Sequence, residues 1–382
     1  MPALIQKTMS EHHHEFHNHK PHGLLAVGIF CISLAMLWFG GFFSAARSTD
    51  LADERIFSGS VLEVLEERTV PSIVPDRTIR EQKLAVQASL PDGVRTVSVM
   101  NDFVPLATGD RVYVQQTGGS ESEQFFIVDV QRGRGLLALA ALFFGVVVAM
   151  AGRKGLYALS GLIFSFALII TWIVPRILAG DDPVIVGLVG SLLILIVTLA
   201  VSYGVNRKSI SALLGIMIAL LVVAALSRVA VGALHFSGFS AEEAVYLNME
   251  SEYTVNLVAL VVAGIIIAAI GVLDDIAITQ AATVFSLART DPRLTRMQLF
   301  IRAMDVGRDH VSAVINTLVL AYAGASLPLV LLVSVRKFPL SFVVNGEIVA
   351  EEIVRTLISS TGLALAVPAT TLIAAYMAKR DA

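Results

Sequence analysis

Eight long apolar stretches constrain this sequence more than any other feature. Each approaches or exceeds the roughly 20 residues that an α-helix needs to cross the hydrocarbon core of a bilayer. They are Gly23–Ala46, Gly135–Ala151, Leu156–Leu178, Pro183–Tyr203, Ile210–Leu234, Val255–Leu273, Val311–Val335 and Val354–Ala378. The stretches predict an α-helical polytopic membrane protein with about eight transmembrane helices in a lipid bilayer.

The charged residues are unevenly distributed along the chain. Only 15% of the 382 residues are charged and 55% are hydrophobic, whereas soluble domains average roughly 25% charged residues. Of the 59 charged residues (28 basic and 31 acidic), 24 lie between Arg47 and Arg134. That segment therefore has the composition of a soluble domain. A net charge of −3 gives no electrostatic reason to expect nucleic-acid binding, and the single Cys31 excludes a disulfide framework within the chain.

The charges between the apolar stretches predict an orientation. Basic residues favour the cytoplasmic side of a membrane. With the N-terminus inside, four cytoplasmic segments are basic and three outside segments are acidic, while Arg336-Lys337 and the pair Arg132 and Arg134 fall on the wrong side. We therefore expect both termini in the cytoplasm, with Gly23–Ala46 as an uncleaved anchor.

This orientation places residues 47–134 outside the cytoplasm, and their pattern is that of strands. Hydrophobic and polar residues alternate in Phe57–Leu65 and Lys83–Leu90, a turn at Pro91-Asp92-Gly93 follows, and Gln124–Val130 supplies a last strand. About five short strands predict a small barrel-like β segment of the OB or SH3 type. The predicted organisation is a cytoplasmic His-rich leader at 1–22, an anchor at 23–46, an extracytoplasmic β domain at 47–134 and a seven-helix membrane bundle at 135–382.

Three short motifs in the C-terminal third carry a family resemblance. They are Gly307-Arg308-Asp309, Asn316-Thr317-Leu318 and Leu327-Pro328, downstream of the acidic pair Asp274-Asp275. The chain resembles the YibE/F-like family of bacterial multi-pass membrane proteins in these motifs and across the membrane part after residue 135. The resemblance implies a fold and a place in the bacterial plasma membrane. It implies no reaction, because the family has no established biochemical activity, and Asp275 falls closest to the family's acidic position.

Two polar stripes stand out at helical spacing in the same region. Asp305, Asp309, Ser312 and Asn316 repeat at i, i+4, i+7 and i+11, which places them on one helical face. Asp275 begins a second stripe on the preceding segment that continues through Thr279, Ala282 and Ser286. Intramembrane ionisable residues cost a few kcal/mol unless they are paired, hydrated or neutralised. Two such stripes facing each other across a bundle would form a polar site.

A plainer interpretation stays open for each of these carboxylates. Asp274 and Asp275 would be solvated if they mark the cytoplasmic end of their span, and Asp305 has Arg302 and Arg308 at pairing distance along a helix. Under the functional interpretation, the transport or ion-binding residues are Asp275, Thr279, Asp305, Arg308, Asp309 and Asn316.

The leading functional hypothesis is a gradient-driven permease or exporter of a cation or small solute. The alternative is a non-transporting membrane scaffold or envelope sensor that recognises its target through the β domain. We expect no enzymatic activity and no required cofactor, since the sequence contains no Walker loop and no HExxH motif. An intramembrane aspartyl enzyme that uses Asp275 and Asp309 is a third, less favoured interpretation. Further copies of the chain are potential partners in a homo-oligomer.

The N-terminal leader has the composition of a metal-binding tract. Six of the eight histidines are His12, His13, His14, His17, His19 and His22. Neutral imidazoles suit transition metals such as Zn and Ni, although the tract has no fixed ligand geometry. It therefore predicts a transition-metal ion at the leader, with a pH-sensitive arm as the alternative.

Overall fold

The structure is a computed structural model that describes residues 20–39, 55–71, 78–90, 93–117, 123–249, 255–336 and 338–379. The chain divides into two compact units. One unit comprises residues 42–150, and the other comprises residues up to 41 together with 151–382. Most of the predicted metal-binding histidines, from His12 to His19, lie outside the described residues, as do residues 40–54.

A five-stranded sheet occupies most of the first unit. Its strands are β1 (Arg55–Pro71), β2 (Thr78–Leu90), β3 (Gly93–Asn101), β4 (Arg111–Thr117) and β5 (Gln124–Val130). The order is β1-β2-β3-β5-β4, and β4 also pairs with β1. Neighbours are antiparallel except β3 and β5, which meet at the single parallel pair Met100 and Phe126. The predicted small β segment is therefore present, and its OB or SH3 class stays a prediction.

Alternation of side chains explains the core of the sheet. Along β2 the inward positions Leu84, Val86 and Ala88 are fully buried, while the residues between them face outward. The other buried members of the same apolar cluster are Val61, Val99, Leu106, Val112 and Val114. Leu106 lies between β3 and β4, so the core is formed by inward strand residues and one residue of a connection.

Helices form nearly all of the second unit. The helices are α1 (Lys20–Phe39), α2 (Gly133–Leu168), α3 (Val174–Leu178), α4 (Pro183–Tyr203), α5 (Arg207–Ala233), α6 (Glu242–Met249), α7 (Leu257–Thr290), α8 (Arg296–Ala325), α9 (Leu327–Arg336), α10 (Leu340–Asn345) and α11 (Glu347–Ala378). A π-helical segment at Ile169–Ile173 joins α2 to α3. Only the part of α2 after residue 150 belongs to this unit.

Five helical stretches among the described residues are long and apolar enough to cross a membrane. They are Gly133–Leu178, Pro183–Tyr203, Arg207–Ala233, Leu257–Thr290 and Glu347–Ala378. A sixth is reached if α8 and α9, which meet at a bend of 64°, form one broken span. These helices indicate a membrane protein, whereas the predicted count of eight spans is not confirmed.

Three features explain the difference between eight and five. The predicted anchor Gly23–Ala46 is represented among the described residues by α1, whose apolar part, Ala26–Leu37, is shorter than a membrane span. The predicted spans Gly135–Ala151 and Leu156–Leu178 lie in one helical stretch of 46 residues, Gly133–Leu178. A straight helix of that length would measure about 69 Å, more than twice the thickness of a bilayer core. The backbone is not helical at Gly152, where φ is 56° and ψ is −133°, between the two predicted spans. In the α8–α9 pair, the bend at Ser326 lies two residues before Pro328, which cannot continue a regular helical hydrogen-bond pattern.

Small residues allow the long helices of the second unit to pack closely. A Cβ atom built on Gly215 of α5 would lie 2.8 Å from both Cα and Cβ of Thr370 on α11. Further along the same pair of helices, Gly362 of α11 sits against Val223 of α5. Because residue numbers rise along one helix as they fall along the other, α5 and α11 are antiparallel. Close approach through small residues is the usual basis of helix association in membranes.

Candidate functional site

A cavity of about 390 Å³ lies inside the helical unit, between the last turns of α2, the second half of α4 and the middle of α7. Most of its wall is aliphatic, and one side carries two carboxylates and several hydroxyls. The polar lining residues are Ser165, Thr198, Ser202, Tyr203, Asp274 and Asp275. The cavity is therefore an acidic site in otherwise apolar surroundings.

The acidic pair sits well inside α7 rather than at its end. Asp274 is 17 residues beyond Leu257, the first residue of the helix, or about 25 Å along its axis. Its Oδ1 atom is buried and has no hydrogen-bond partner within the described ranges. Asp275 also lines the cavity, but its side chain is exposed. The two neighbours thus differ in environment, with Asp274 the more enclosed.

The hydroxyl groups around the cavity bond to helix carbonyls and, in the case of Thr198, also lie within hydrogen-bond reach of the Asp274 carboxylate. Ser165 donates its hydroxyl proton to the carbonyl of Gly161 at 2.9 Å, and Thr198 donates to the carbonyl of Leu195 at 3.3 Å. Each hydroxyl oxygen keeps its acceptor capacity once its proton is used in this way. Carboxylate and hydroxyl oxygens suit a proton or a hard cation better than an anion.

Basic residues lie beside the cavity near the end of α4. The Lys208 ammonium is 5.3 Å from the centroid of the Tyr203 ring, a cation–π contact. Lys208 is also close enough to Lys154 and Arg289 for their charges to repel it. A cluster of positive charge therefore lies next to the acidic cavity, beside Tyr203 at the end of α4.

The structure does not bring the two predicted stripes together. Asp275 lines the cavity, whereas Thr279 is exposed and is not part of the lining. On α8, Asp305 and Arg308 form an exposed ion pair at 3.1 Å. Asp309 and Asn316 are exposed on the same side of α8. The α7 and α8 stripes therefore do not form one site in this structure, because their polar residues are exposed rather than buried in the contact between the two helices.

Gln280 forms that contact, and the stripe pattern did not single it out. Its side-chain amide is buried and donates to the carbonyl of Ala303 on α8 and to the hydroxyl of Thr371 on α11, both at 2.8 Å. Thr371 in turn donates to the carbonyl of Val367 at 2.6 Å. A Cβ atom on Gly307 would lie 3.0 Å from the Gln280 amide. A lone amide inside an apolar helix was the available signal.

A second polar cluster at the beginning of α11 was also missed. The Arg355 guanidinium donates to Glu351 at 2.6 Å and to Glu352 at 2.8 Å. Glu351, which is only 8% exposed, also accepts a hydrogen bond from Ser240. From the sequence alone, these glutamates were interpreted as markers of an outside segment. Their spacing of three and four residues from an arginine was the signal of a local ion-pair network.

Glu347 attaches the start of α11 to the segment after α5. Its carboxylate accepts from the backbone amides of Ser237 at 2.7 Å and Gly238 at 2.9 Å, and from the Ser237 hydroxyl at 2.8 Å. Gly238 has a φ of 80°, which an L-residue rarely adopts. This contact holds a non-helical segment against the bundle.

The described ranges contain no group of three or more His, Cys, Asp or Glu side chains placed to hold a metal ion. His22 lies in α1, and the other leader histidines fall outside the described residues. The predicted metal site at the leader stays a prediction.

A family model described as YibE/F-like protein matches residues 139–380, which is more than half of the chain. The resemblance seen in the sequence motifs is thereby confirmed. No curated protein and no solved structure matches the chain. Both the acidic cavity and the exposed face of α8 lie within the matched region.

Proposed function

This chain belongs to the YibE/F-like protein family, and we propose that it is a gradient-driven permease or exporter of a cation or small solute. We place it in the bacterial plasma membrane with both termini in the cytoplasm. The observation that carries the proposal is the acidic cavity, in which Asp274 and Asp275 lie among hydroxyl groups inside the helical unit.

The energetics of Asp274 connect the cavity to transport. A carboxylate away from water is costly unless a proton, a cation or hydrogen-bond donors neutralise it. Within the described part of the chain the buried Oδ1 atom of Asp274 has no hydrogen-bond partner, and the donor beside the carboxylate, the Thr198 hydroxyl, carries no charge that would neutralise it. A proton or cation bound there would remove the cost, and its release toward water would restore it. Binding and release of this kind is what couples a transporter to an ion gradient.

The pair lies halfway along α7 rather than at either end of the helix. Substrate and ion sites of many secondary transporters likewise lie within the helical bundle. About 25 Å of α7 precedes Asp274, and 16 residues of the helix follow it. We therefore assign ion binding to Asp274 and Asp275. The α8 residues Asp305, Arg308, Asp309 and Asn316 do not line the cavity, and a different role for them is argued below.

Flux through reconstituted protein tests the proposal. Purified protein in liposomes is assayed for uptake of protons, Na⁺, K⁺ and divalent transition-metal ions, each driven by an imposed gradient. Asp274→Asn keeps the size of the side chain and removes its charge, so we expect flux to fall at least roughly tenfold. Asp275→Asn is expected to have a smaller effect because its side chain is exposed. Glu243→Gln, an exposed carboxylate on α6, is the matched control and should leave flux unchanged.

Two results would contradict the proposal. Wild-type flux equal to that of protein-free liposomes for every ion would show that the protein does not transport these ions. If the wild type shows flux and Asp274→Asn shows the same flux, the cavity is not the transport site.

The leader supports a separate proposal of transition-metal binding. Replacing His12, His13, His14, His17, His19 and His22 with Asn should abolish Ni²⁺ or Zn²⁺ binding in calorimetry. Binding that survives in this variant would show that the metal binds outside the leader. Absence of binding in the wild type would refute the proposed metal binding.

A scaffold or envelope sensor is the second candidate function. The observation that favours it is a set of exposed apolar side chains on the sheet, each at least 43% accessible: Ile56, Leu62, Leu65, Met100 and Phe126. Exposed apolar groups of this kind mark interaction surfaces when they are contiguous. Deleting residues 55–130 separates the two functions. A permease retains flux after the deletion, whereas a scaffold loses the partners captured by crosslinking in intact cells.

A further inference from the structure

One face of α8 is polar and is not covered by any other helix or strand among the residues that the structure describes. Asp305, Arg308, Asp309, Ser312 and Asn316 are all exposed, and they share this face. The opposite face of the helix is buried against α7 and α11 through Leu299, Ala303, Gly307 and Leu318. The helix is therefore amphipathic, with its apolar side turned into the bundle.

Contacts with α11 show the depth of this polar face. The Arg296 guanidinium lies 4.2 Å from the centroid of the Tyr376 ring, and a Cβ atom on Gly307 would lie 2.6 Å from Val367. The two helices are therefore antiparallel, and Asp309 is nearly level with Val367. Residues 356–378 of α11 contain no charged residue, which corresponds to about 34 Å of helix, close to the thickness of the hydrocarbon core. Val367 is at the middle of that run, so Asp309 lies alongside the charge-free part of α11.

An uncovered face of this kind would be unstable in lipid. Asp305 and Arg308 neutralise each other through their ion pair, but Asp309 has neither a hydrogen bond nor an ion pair among the described residues. A carboxylate that faces lipid is costly unless it is paired, hydrated or neutralised. Nothing in the described part of the chain pairs with Asp309, so a partner that covers this face would stabilise it.

We propose that a second copy of this chain covers it, in a two-fold symmetric dimer whose interface is the polar face of α8. A two-fold axis along the membrane normal places residues of equal depth opposite each other. Arg308 and Asp309 are adjacent in depth, so Arg308 of each protomer meets Asp309 of the partner subunit. A guanidinium has five N–H donors, and the bond to Asp305 uses one of them. Ser312 and Asn316 supply hydrogen bonds further along the same interface.

The charges on this face favour a second copy over other occupants. Arg302 and Arg308 balance Asp305 and Asp309, so the face is neutral overall and self-complementary. An anionic lipid would meet as many carboxylates as guanidinium groups. A second copy presents the same two signs at the same depths, and the dimer supplies the partner that Asp309 lacks.

Disulfide crosslinking in native membranes tests the interface directly. Starting from Cys31→Ser, the variants Ser312→Cys and Asn316→Cys are oxidised and examined for covalent dimers. The matched control is Leu221→Cys, an exposed position on α5. We expect dimers from the α8 positions and none from Leu221. Equal crosslinking at all three positions would reflect random collision and would overturn the proposal.

Charge reversal tests the ionic pairing, and it does not depend on any transport activity. Arg308→Asp alone and Asp309→Arg alone place like charges opposite each other and should lower the dimer fraction in lipid nanodiscs by at least roughly tenfold. The double variant Arg308→Asp with Asp309→Arg restores opposite charges and should recover dimerisation. A wild type that is monomeric at all lipid-to-protein ratios, or that carries a tightly bound anionic lipid on a monomer in native mass spectrometry, would refute the dimer.

Discussion

The close approach of α5 to α11 gives the sharpest quantitative prediction. A Cβ atom at Gly215 would lie 2.8 Å from Cα and Cβ of Thr370, and closer still to its hydroxyl oxygen. Thr370 is fully buried, and its Cα atom cannot move without the helix. Gly215→Ala therefore forces the two helices apart. Overpacking costs about 1–3 kcal/mol, and the clash with backbone places this substitution at the upper end. The better helix propensity of alanine returns about 1 kcal/mol, so we expect a net loss of about 2 kcal/mol.

Equilibrium unfolding in mixed detergent and SDS micelles, followed by tryptophan fluorescence, measures this loss. Gly264→Ala is the matched control, because Gly264 is an exposed helical glycine of α7 whose added Cβ would meet nothing within 4 Å. The control is expected to be unchanged or up to about 1 kcal/mol more stable. If Gly215→Ala unfolds at the same SDS fraction as Gly264→Ala, the close crossing of α5 and α11 is wrong.

Three further predictions concern polar contacts. Gln280→Leu removes the hydrogen bonds from the buried amide to Thr371 and to the α8 backbone. The free energy of unfolding should fall by about 1–3 kcal/mol in the same titration. A variant as stable as the wild type would show that these bonds contribute nothing. Arg355→Gln leaves the buried Glu351 without its cation and should destabilise the protein by about 2 kcal/mol. Adding Glu351→Gln should recover part of this loss. A double variant less stable than Arg355→Gln alone would contradict the prediction. The Val130 amide and the Arg132 guanidinium hold the pKa of Asp129 below its usual range. Its contribution to stability is therefore present above about pH 4 and is lost as the pH falls through the lower folded value. The stability difference between wild type and Asp129→Asn should be constant from about pH 5 to 7 and shrink in acid, and an unchanged difference at about pH 2 would refute the shift.

Local signals explain why several elements could be predicted from the sequence. The stretch Pro183–Tyr203 coincides with α4, because Asp182 caps its first turn by accepting from two backbone amides and Gly204 ends it with a φ of 77°. The segment Gln124–Val130 coincides with β5 for a similar reason, since a short run rich in aromatic and β-branched residues is visible within a few residues. Such features depend only on neighbours in the chain.

The rotation of an apolar helix about its axis could not be predicted in the same way. In α7 the hydrophobic residues surround the helix, so the sequence shows no difference between the side that faces α4 and the side that faces α11. The choice between Asp274 and Asp275 as the enclosed carboxylate depends on that rotation. The same is true of Gln280, whose partners lie 23 and 91 residues away in the chain.

The acidic residues of the C-terminal third separate into two physical environments, and this separation changes how the motifs are interpreted. On α7, Asp274 and Asp275 line a cavity built by three segments of one chain, so all the groups that line it come from a single protomer. On α8, the residues of the Gly307-Arg308-Asp309 motif lie on opposite sides of the helix. Gly307 is buried and allows α8 to approach α11 and the Gln280 amide, whereas the two charged residues that follow point outward at the same depth. A glycine that brings the helix into the bundle thus leaves an arginine and an aspartate on the uncovered face, where charge is costly in lipid unless it is paired, hydrated or neutralised. The motif therefore combines a packing residue on one side of α8 with the two charges on which the proposed dimer depends on the other.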